Sequence, residues 1–280
     1  TFHTQLSGTS TLSERLRIKS DGDVIIGGSS DAGYADYADN LTIHDTQNSG
    51  ITIRSGTSSQ GAIYFSDATG TAAGTYVGNI IYDHSDNHMR FATNEVEAMR
   101  ITAAGQVLIG ASSSRTPLGI TTKLQIEGTD AGTSSLSLTR NSANIHPPFL
   151  LFNKSRGSSV GSDTVVQDGD ILGKISWLGN DGTDSDHEAA FILASVDATP
   201  GANEIPGNLT FGTSADGAAS PTERLRIDSS GRLLVGGTGN TESDVRLYLH
   251  NPSAAGSQIQ ITGSGSGTSN SDGFRIGYNG

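Results

Sequence analysis

Apolar residues recur at every second position along this chain, in short runs closed by Gly, Asp, Asn or Ser. Alternation of that kind puts one side of a pleated strand against a core and the other against water, so it predicts half-buried β-strands. In residues 14–28, ERLRIKSDGDVIIGG, Leu16 and Ile18 alternate with Arg15 and Arg17. The turn Ser20-Asp21-Gly22 follows, then the apolar trio Val24-Ile25-Ile26, then Gly27. Two strands joined by a turn whose glycine takes a positive φ make a β-hairpin.

The same frame returns at 97–111 (EAMRITAAGQVLIGA) and at 223–237 (ERLRIDSSGRLLVGG). It reads Glu, any residue, apolar, Arg, Ile, three small or polar residues, Gly, any residue, an apolar trio and Gly. Phe-x-Thr precedes each copy, at Phe2, Phe91 and Phe211. Further alternating runs follow at 41–43, 124–126 and 247–249, then at 51–54, 136–140 and 259–261, then at 63–65, 149–152 and 274–276. Two modules continue into Gly-x-Ile-x-aromatic, at Gly78–Tyr82 and Gly173–Trp177. That pattern puts Tyr82 and Trp177 at one repeat position, which favours a packing role for both over sugar stacking.

The frame recurs 83 residues after Glu14 and 126 residues after Glu97, so the second full module carries an extra stretch, assigned to roughly 181–208. Within it, 186–197 (DHEAAFILASVD) is compatible with a helix or a strand. The run is short and its surroundings are strands, so a strand is expected. The organisation is then the end of a preceding β-module at 1–28, module A at 29–112, module B at 113–238 with its insertion near 181–208, and the start of a further module at 239–280. A chain that opens and closes in mid-repeat exposes strand edges, so this stretch is expected to belong to a longer chain extending both ways.

Composition extends the picture from strands to architecture. Gly, Ser and Thr make up 103 of 280 residues and only 34% of the chain is hydrophobic, where a lone globule carries roughly 45–50% apolar residues. Little core per residue, arranged in regular short strands, predicts an elongated all-β fold of hairpins and short strands whose core is shared between chains. No run approaches the ~18 consecutive apolar residues of a spanning helix, so no membrane insertion is expected. The net charge of -12 argues against a nucleic-acid partner, because that affinity comes from Lys and Arg neutralising phosphates. With no cysteine, disulfides and thiolate metal sites are excluded.

Several groupings carry candidate chemistry. Asp181, Asp184 and Asp186, with Glu188, form the densest acidic cluster. Closely spaced carboxylates suit Ca²⁺, but the EF-hand order is absent and a solvated loop is the competing reading. His84 and His88, beside Asp83 and Asp86, have a His-x3-His spacing that seats a metal on a helix. Their Asp, Ser and Asn neighbours instead indicate a turn. Gly157-Ser158-Ser159-Val160-Gly161 matches the GxSxG elbow, yet no helical pattern follows it. Glycoside hydrolysis needs two carboxyls about 5–9.5 Å apart; Asp168, Asp170 and Glu204 are available and the sequence does not pair them. No catalytic residue and no cofactor are therefore expected. Glu14 and Arg17, Glu97 and Arg100, and Glu223 and Arg226 recur in frame three residues apart. A regular strand turns such residues to opposite faces, so each arginine is expected to meet a glutamate of a neighbouring chain and to set the register between subunits.

Residues 206–236, PGNLTFGTSADGAASPTERLRIDSSGRLLVG, resemble the repeats of tailed-bacteriophage tail fibres and related fibre-like virion proteins. Because the hairpin and its neighbouring strands recur three times, the resemblance covers most of the chain. It implies an elongated homotrimer in the virion, intertwined or side by side. Its partners would be other tail or capsid proteins and, outward, a host-surface glycan or protein. Many such fibres end in a self-cleaving intramolecular chaperone domain, which has no counterpart here. The alternatives are a secreted bacterial β-repeat adhesin and a tailspike-type enzyme that degrades polysaccharide.

Overall fold

The computed structural model describes residues 1–5, 12–20, 22–26, 41–43, 47–67 and 76–236, with the backbone of three further strands at 247–249, 258–261 and 274–277. The chain forms two units, Thr1–Ser112 and Ser113–Gly280. The first holds β1 (Phe2–Gln5), β2 (Leu12–Ile18), β3 (Val24–Ile26), β4 (Leu41–Ile43), β5 (Gln60–Phe65), β6 (Gly78–Asp83), β7 (His88–Thr93), β8 (Val96–Ile101) and β9 (Val107–Ile109). The second holds β10 (Leu124–Ile126), β11 (Ile171–Gly179), β12 (His187–Val196), β13 (Gly207–Thr213), β14 (Thr222–Ile227), β15 (Leu233–Val235), β16 (Leu247–Leu249), β17 (Gln258–Ile261) and β18 (Phe274–Gly277). Among the described residues the one helical element is the 3-10 turn Pro117–Gly119. The fold is all-β, in open sheets.

In the first unit β1 to β4 form one sheet, antiparallel except for the parallel pair β3 and β4. β5 to β9 form an antiparallel meander. In the second unit β11 to β15 repeat that meander and β16 joins β15 in parallel. β17 and β18 pair with each other.

Residues paired across a ladder share a face, so the registers define two rows per meander. One face carries Ile63–Ile80–Phe91–Met99–Ile109 in the first unit and Ile175–Ile192–Phe211–Leu225–Val235 in the second. The other carries Ala62–Ile81–Arg90–Arg100–Leu108 and Lys174–Leu193–Thr210–Arg226–Leu234. The burial runs against the composition. Ile81, Leu108 and Leu234 on the mixed face are fully buried, whereas the wholly apolar row leaves Ile63 48% and Ile175 42% exposed. Ile25, Leu108 and Leu234 each pair with the frame arginine, whose aliphatic stem is long enough to cover an apolar neighbour.

The hairpin turns follow the sequence expectation. Gly22, Gly105 and Gly231 take φ of 100°, 71° and 74°, and the Gly105 and Gly231 amides donate to the carbonyls of Thr102 and Asp228 at 2.8 and 2.9 Å. Residues 187–196 form a strand, as the context suggested. The runs 51–54, 136–140 and 149–152 lie outside any ladder, with Leu136 66% and Leu151 79% exposed. Alternation marks where a strand can form, but a strand also needs a partner for its amides and carbonyls, and none is supplied among the described residues.

Register also relocates the insertion. β12 bears the same relation to β13 that β6 bears to β7, and β11 therefore corresponds to β5. The stretch 181–208 contains β12, which is an integral strand of the meander. Most of the extra length lies between β10 and β11, at 127–170, against 44–59 between β4 and β5. Tyr82, opposite Met89 on β6, and Trp177, opposite Ala190 on β11, are consequently not at equivalent positions. Two adjacent strands with the same alternation look identical in sequence, and pairing alone separates them.

Candidate functional site

The recurring frame is built around a bulge. Phe2 pairs with Leu16 but His3 with Glu14, Phe91 with Met99 but Ala92 with Glu97, and Phe211 with Leu225 but Gly212 with Glu223. Arg15, Ala98 and Arg224 are thus the extra residues of three β-bulges at one frame position. An extra residue shifts the alternation by one, so Glu and Arg three apart come to the same face. Arg100 donates from Nε and Nη2 to the Glu97 carboxylate at 2.7 and 2.8 Å. Arg226 does so to Glu223 at 3.0 and 2.8 Å, and Arg17 to Glu14 at 2.5 and 2.7 Å. Each arginine finds a glutamate in its own strand. The hydrogen bonds from these arginines hold Glu14 and Glu97 below their ordinary pKa, and the glutamates raise Arg100 and Arg226.

The closing glycine completes the device. Gly110 and Gly236 donate to the carbonyls of the bulged residues Ala98 and Arg224 at 3.3 and 3.0 Å. Both take a left-handed φ, 77° and 78°, which explains the glycine that ends the frame. Gly27 lies outside the described residues. The sequence contained this signal as Glu-x-apolar-Arg, whose spacing makes sense only with a bulge at x.

The metal candidates regroup. Asp83, Asp86 and His88 bring ligand atoms within 4.8 Å of one another, as do Asp181, Asp184 and His187. His84 is absent from the first group: its ring packs edge-on against Tyr82, 4.9 Å between centroids. Asp186 is absent from the second and accepts the Leu118 amide at 2.9 Å. His187, which the sequence did not single out, takes its place, 3.3 Å from Asp184 and 3.6 Å from Asp181. The carboxylates already have donors. Asp83 accepts the Ser85 hydroxyl at 2.6 Å, the Ser85 amide at 2.9 Å and Gln60 at 2.6 Å, and these hold it far below the usual carboxylate range. Asp181 accepts the amides of Thr183 and Asp184, which lower it as well. Both arrangements cap turns.

Two of the hydrolytic candidates are already engaged. Asp170 is clamped by Arg156 through two 2.7 Å bonds and is held well below the usual range by them, the opposite of what a general acid requires. Glu204 sits in a tight bridge with Gly201. Ser159, central in GSSVG, uses its carbonyl to accept the Ser162 hydroxyl at 2.6 Å in a turn, and no helix follows. Tyr82 donates to Asn87 Oδ1 at 3.2 Å, and Trp177 stands half exposed on the apolar face.

No family model matches the chain, and no curated protein is similar to it in sequence. Among solved structures, it is similar to the carboxy-terminal domain of the bacteriophage T5 L-shaped tail fibre with its intra-molecular chaperone domain. The TM-score is 0.50 and the identity 15%, over 65% of this chain, which spans 55% of that one. A second structure, the carboxy-terminal domain of the same fibre, aligns over 86% of this chain and 92% of that chain, with a TM-score of 0.49 and 13% identity. The likeness is one of fold: the two units are built of open β-sheets similar to those of a tail-fibre domain.

Proposed function

We propose that the chain is a structural segment of a phage tail fibre or fibre-like appendage, carried on the virion, that supports or mediates attachment to the host surface. It acts as a homotrimer, and it catalyses no reaction. The observation that carries this reading is the wholly apolar face repeated in both meanders. Ile63, Phe65 and Ile109 in one unit, and Ile175, Trp177, Leu209 and Ile227 in the other, are between 37% and 59% exposed. Removing the remaining half of such a side chain from water is worth about 1 kcal/mol, so several per unit favour a core shared with further copies. The tail-fibre-like fold supports the virion setting. The clamped Asp170 favours a non-enzymatic role over the tailspike reading.

Light scattering on the purified chain tests the assembly. A mass of three chains is expected, and a mass of one overturns the shared core. Incubation with host polysaccharide tests the absence of catalysis: new reducing ends would move the protein to the enzyme class.

A further inference from the structure

The mixed faces of the two meanders differ at several positions, and at one of them the difference opens the surface. In the second unit Phe191 pairs with Gly212 and lies so close across it that a Cβ on Gly212 would collide with the ring. Lys174 Nζ stands 5.0 Å from the centroid of that ring. Aromatic and cation together fill the surface. In the first unit the register puts Asn79 where the second has Phe191, and Ala92 where it has Gly212. A cleft of about 240 Å³ opens there. Tyr64 and Tyr76 stand at its edge, 53% and 48% exposed, with ring centroids 6.2 Å apart and a tilt of 59°.

The floor of the cleft is polar and incompletely bonded. Asn79 is more than nine-tenths buried, and its Oδ1 has no hydrogen-bond partner. Arg90 Nε is likewise buried without one. Buried polar groups are nearly always paired, so an acceptor and a donor left open under one cleft call for a partner that offers both. The frame does not require this arrangement, because the second unit keeps the same bulge, latch and clamp with the place filled.

We propose that the cleft is a carbohydrate subsite that takes one neutral pyranose unit. A pyranose ring presents a face of C–H groups, which rests on tyrosine rings, and a rim of hydroxyls that donate and accept at once. Tyrosine combines an apolar body with a polar tip and suits such a half-wet contact. A small turn of the Asn79 amide and of the Arg90 side chain brings Oδ1 and Nε to adjacent hydroxyls. Neutral rather than anionic sugar is favoured because Arg90 is offset by Glu97, with Nη1 3.9 Å from Oε2. The subsite deepens the attachment reading and rests on it for the source of the sugar.

Saturation-transfer NMR on the full chain tests this with the methyl glycosides of glucose, galactose, mannose and N-acetylglucosamine. Wild type should show transfer to the ring protons of at least one. The double variant Asn79→Phe/Ala92→Gly, which copies the residues of the second unit, should reduce it at least tenfold. Tyr64→Ser, which copies Ser176 at the corresponding β11 position, should weaken it in the same direction without refilling the cleft. No transfer from any of the four, or equal transfer in wild type and the double variant, overturns the subsite and leaves water as the partner of Asn79 and Arg90. The assembly mass is read from the same samples. A wrong mass counts against the fibre reading, and a right mass without transfer counts against the subsite alone.

Discussion

Replacing Arg226 by methionine isolates what the frame arginine contributes. Its guanidinium holds Glu223 at 3.0 and 2.8 Å and stands 3.5 Å from Asp197. The three side chains are 23%, 16% and 19% exposed, so both carboxylates would be left largely out of water without their cation. Asp197 keeps the Ser229 amide and the Asn208 amide group, each at 2.9 Å, which leaves Glu223 the more affected. Hydrogen bonds to charged groups are worth about 1.5–3 kcal/mol each. Partial solvent access and the packing of the new methionine reduce the total, so a loss of about 2–3 kcal/mol is expected. For a unit of this size the thermal midpoint should fall by about 4–10 °C. Urea titrations of Arg226→Met, Glu223→Gln and the double variant give the coupling directly, with about 2 kcal/mol expected. Because both partners lie in one strand, the light-scattering mass should not change. A coupling below about 0.5 kcal/mol, or a fall in mass with an unchanged midpoint, would refute the own-strand clamp and return the arginine to a role between chains.

Gly236→Ala forces a left-handed φ on a residue with a Cβ and should cost about 1–2 kcal/mol, read as a lower urea midpoint; an unchanged midpoint would show that the latch to Arg224 is dispensable. Alanine within a strand ordinarily gains about 0.5–1 kcal/mol over glycine, but a Cβ on Gly173 would meet Phe152 Cβ at 2.7 Å. Gly173→Ala should therefore destabilise, and a rise in stability would mean that Phe152 does not rest on β11. Arg156 holds Asp170 below its unfolded value, so this contribution is complete above the unfolded pKa of about 3.9 and is lost as pH falls below it. Asp170→Asn should flatten the acid limb of the stability profile between about pH 5 and pH 2, and an unaltered limb would contradict the clamp.

The frame was legible in the sequence because alternation, turn glycines and repetition all act locally. Leu16, Ile18 and Val24 announce two strands, and Gly22 announces the turn between them. What alternation does not carry is which strand lies beside which. That is why Gly173–Trp177 matched Gly78–Tyr82 by pattern, although pairing assigns it to the position of β5, and why β12 passed for an insertion. The bulge escaped for a related reason. Ala98 is ordinary in type, so the Glu-x-apolar-Arg spacing was its one trace in the sequence, and the change of partner from Met99 to Glu97 across one step of β7 makes the bulge explicit. The cleft under Tyr64 and Tyr76 left no motif at all, since its residues come from strands separated in sequence and its meaning lies in the contrast with Phe191 and Gly212.

The bulge, its latch and its clamp also bear on how such chains diverge. All three close within Phe91–Gly110 or Phe211–Gly236, and none depends on the length of the connection that follows. Losing one residue inside the frame would turn a strand over and present its apolar side chains to the wrong face. Gaining many between β10 and β11 disturbs no ladder, as 127–170 shows beside 44–59. Heritable gains and losses should therefore gather in the connections, and recombination that joins two genes there would pass on intact sheets. The frame behaves as a cassette, and the stretches between cassettes are where new surface can be tried at little risk to the fold.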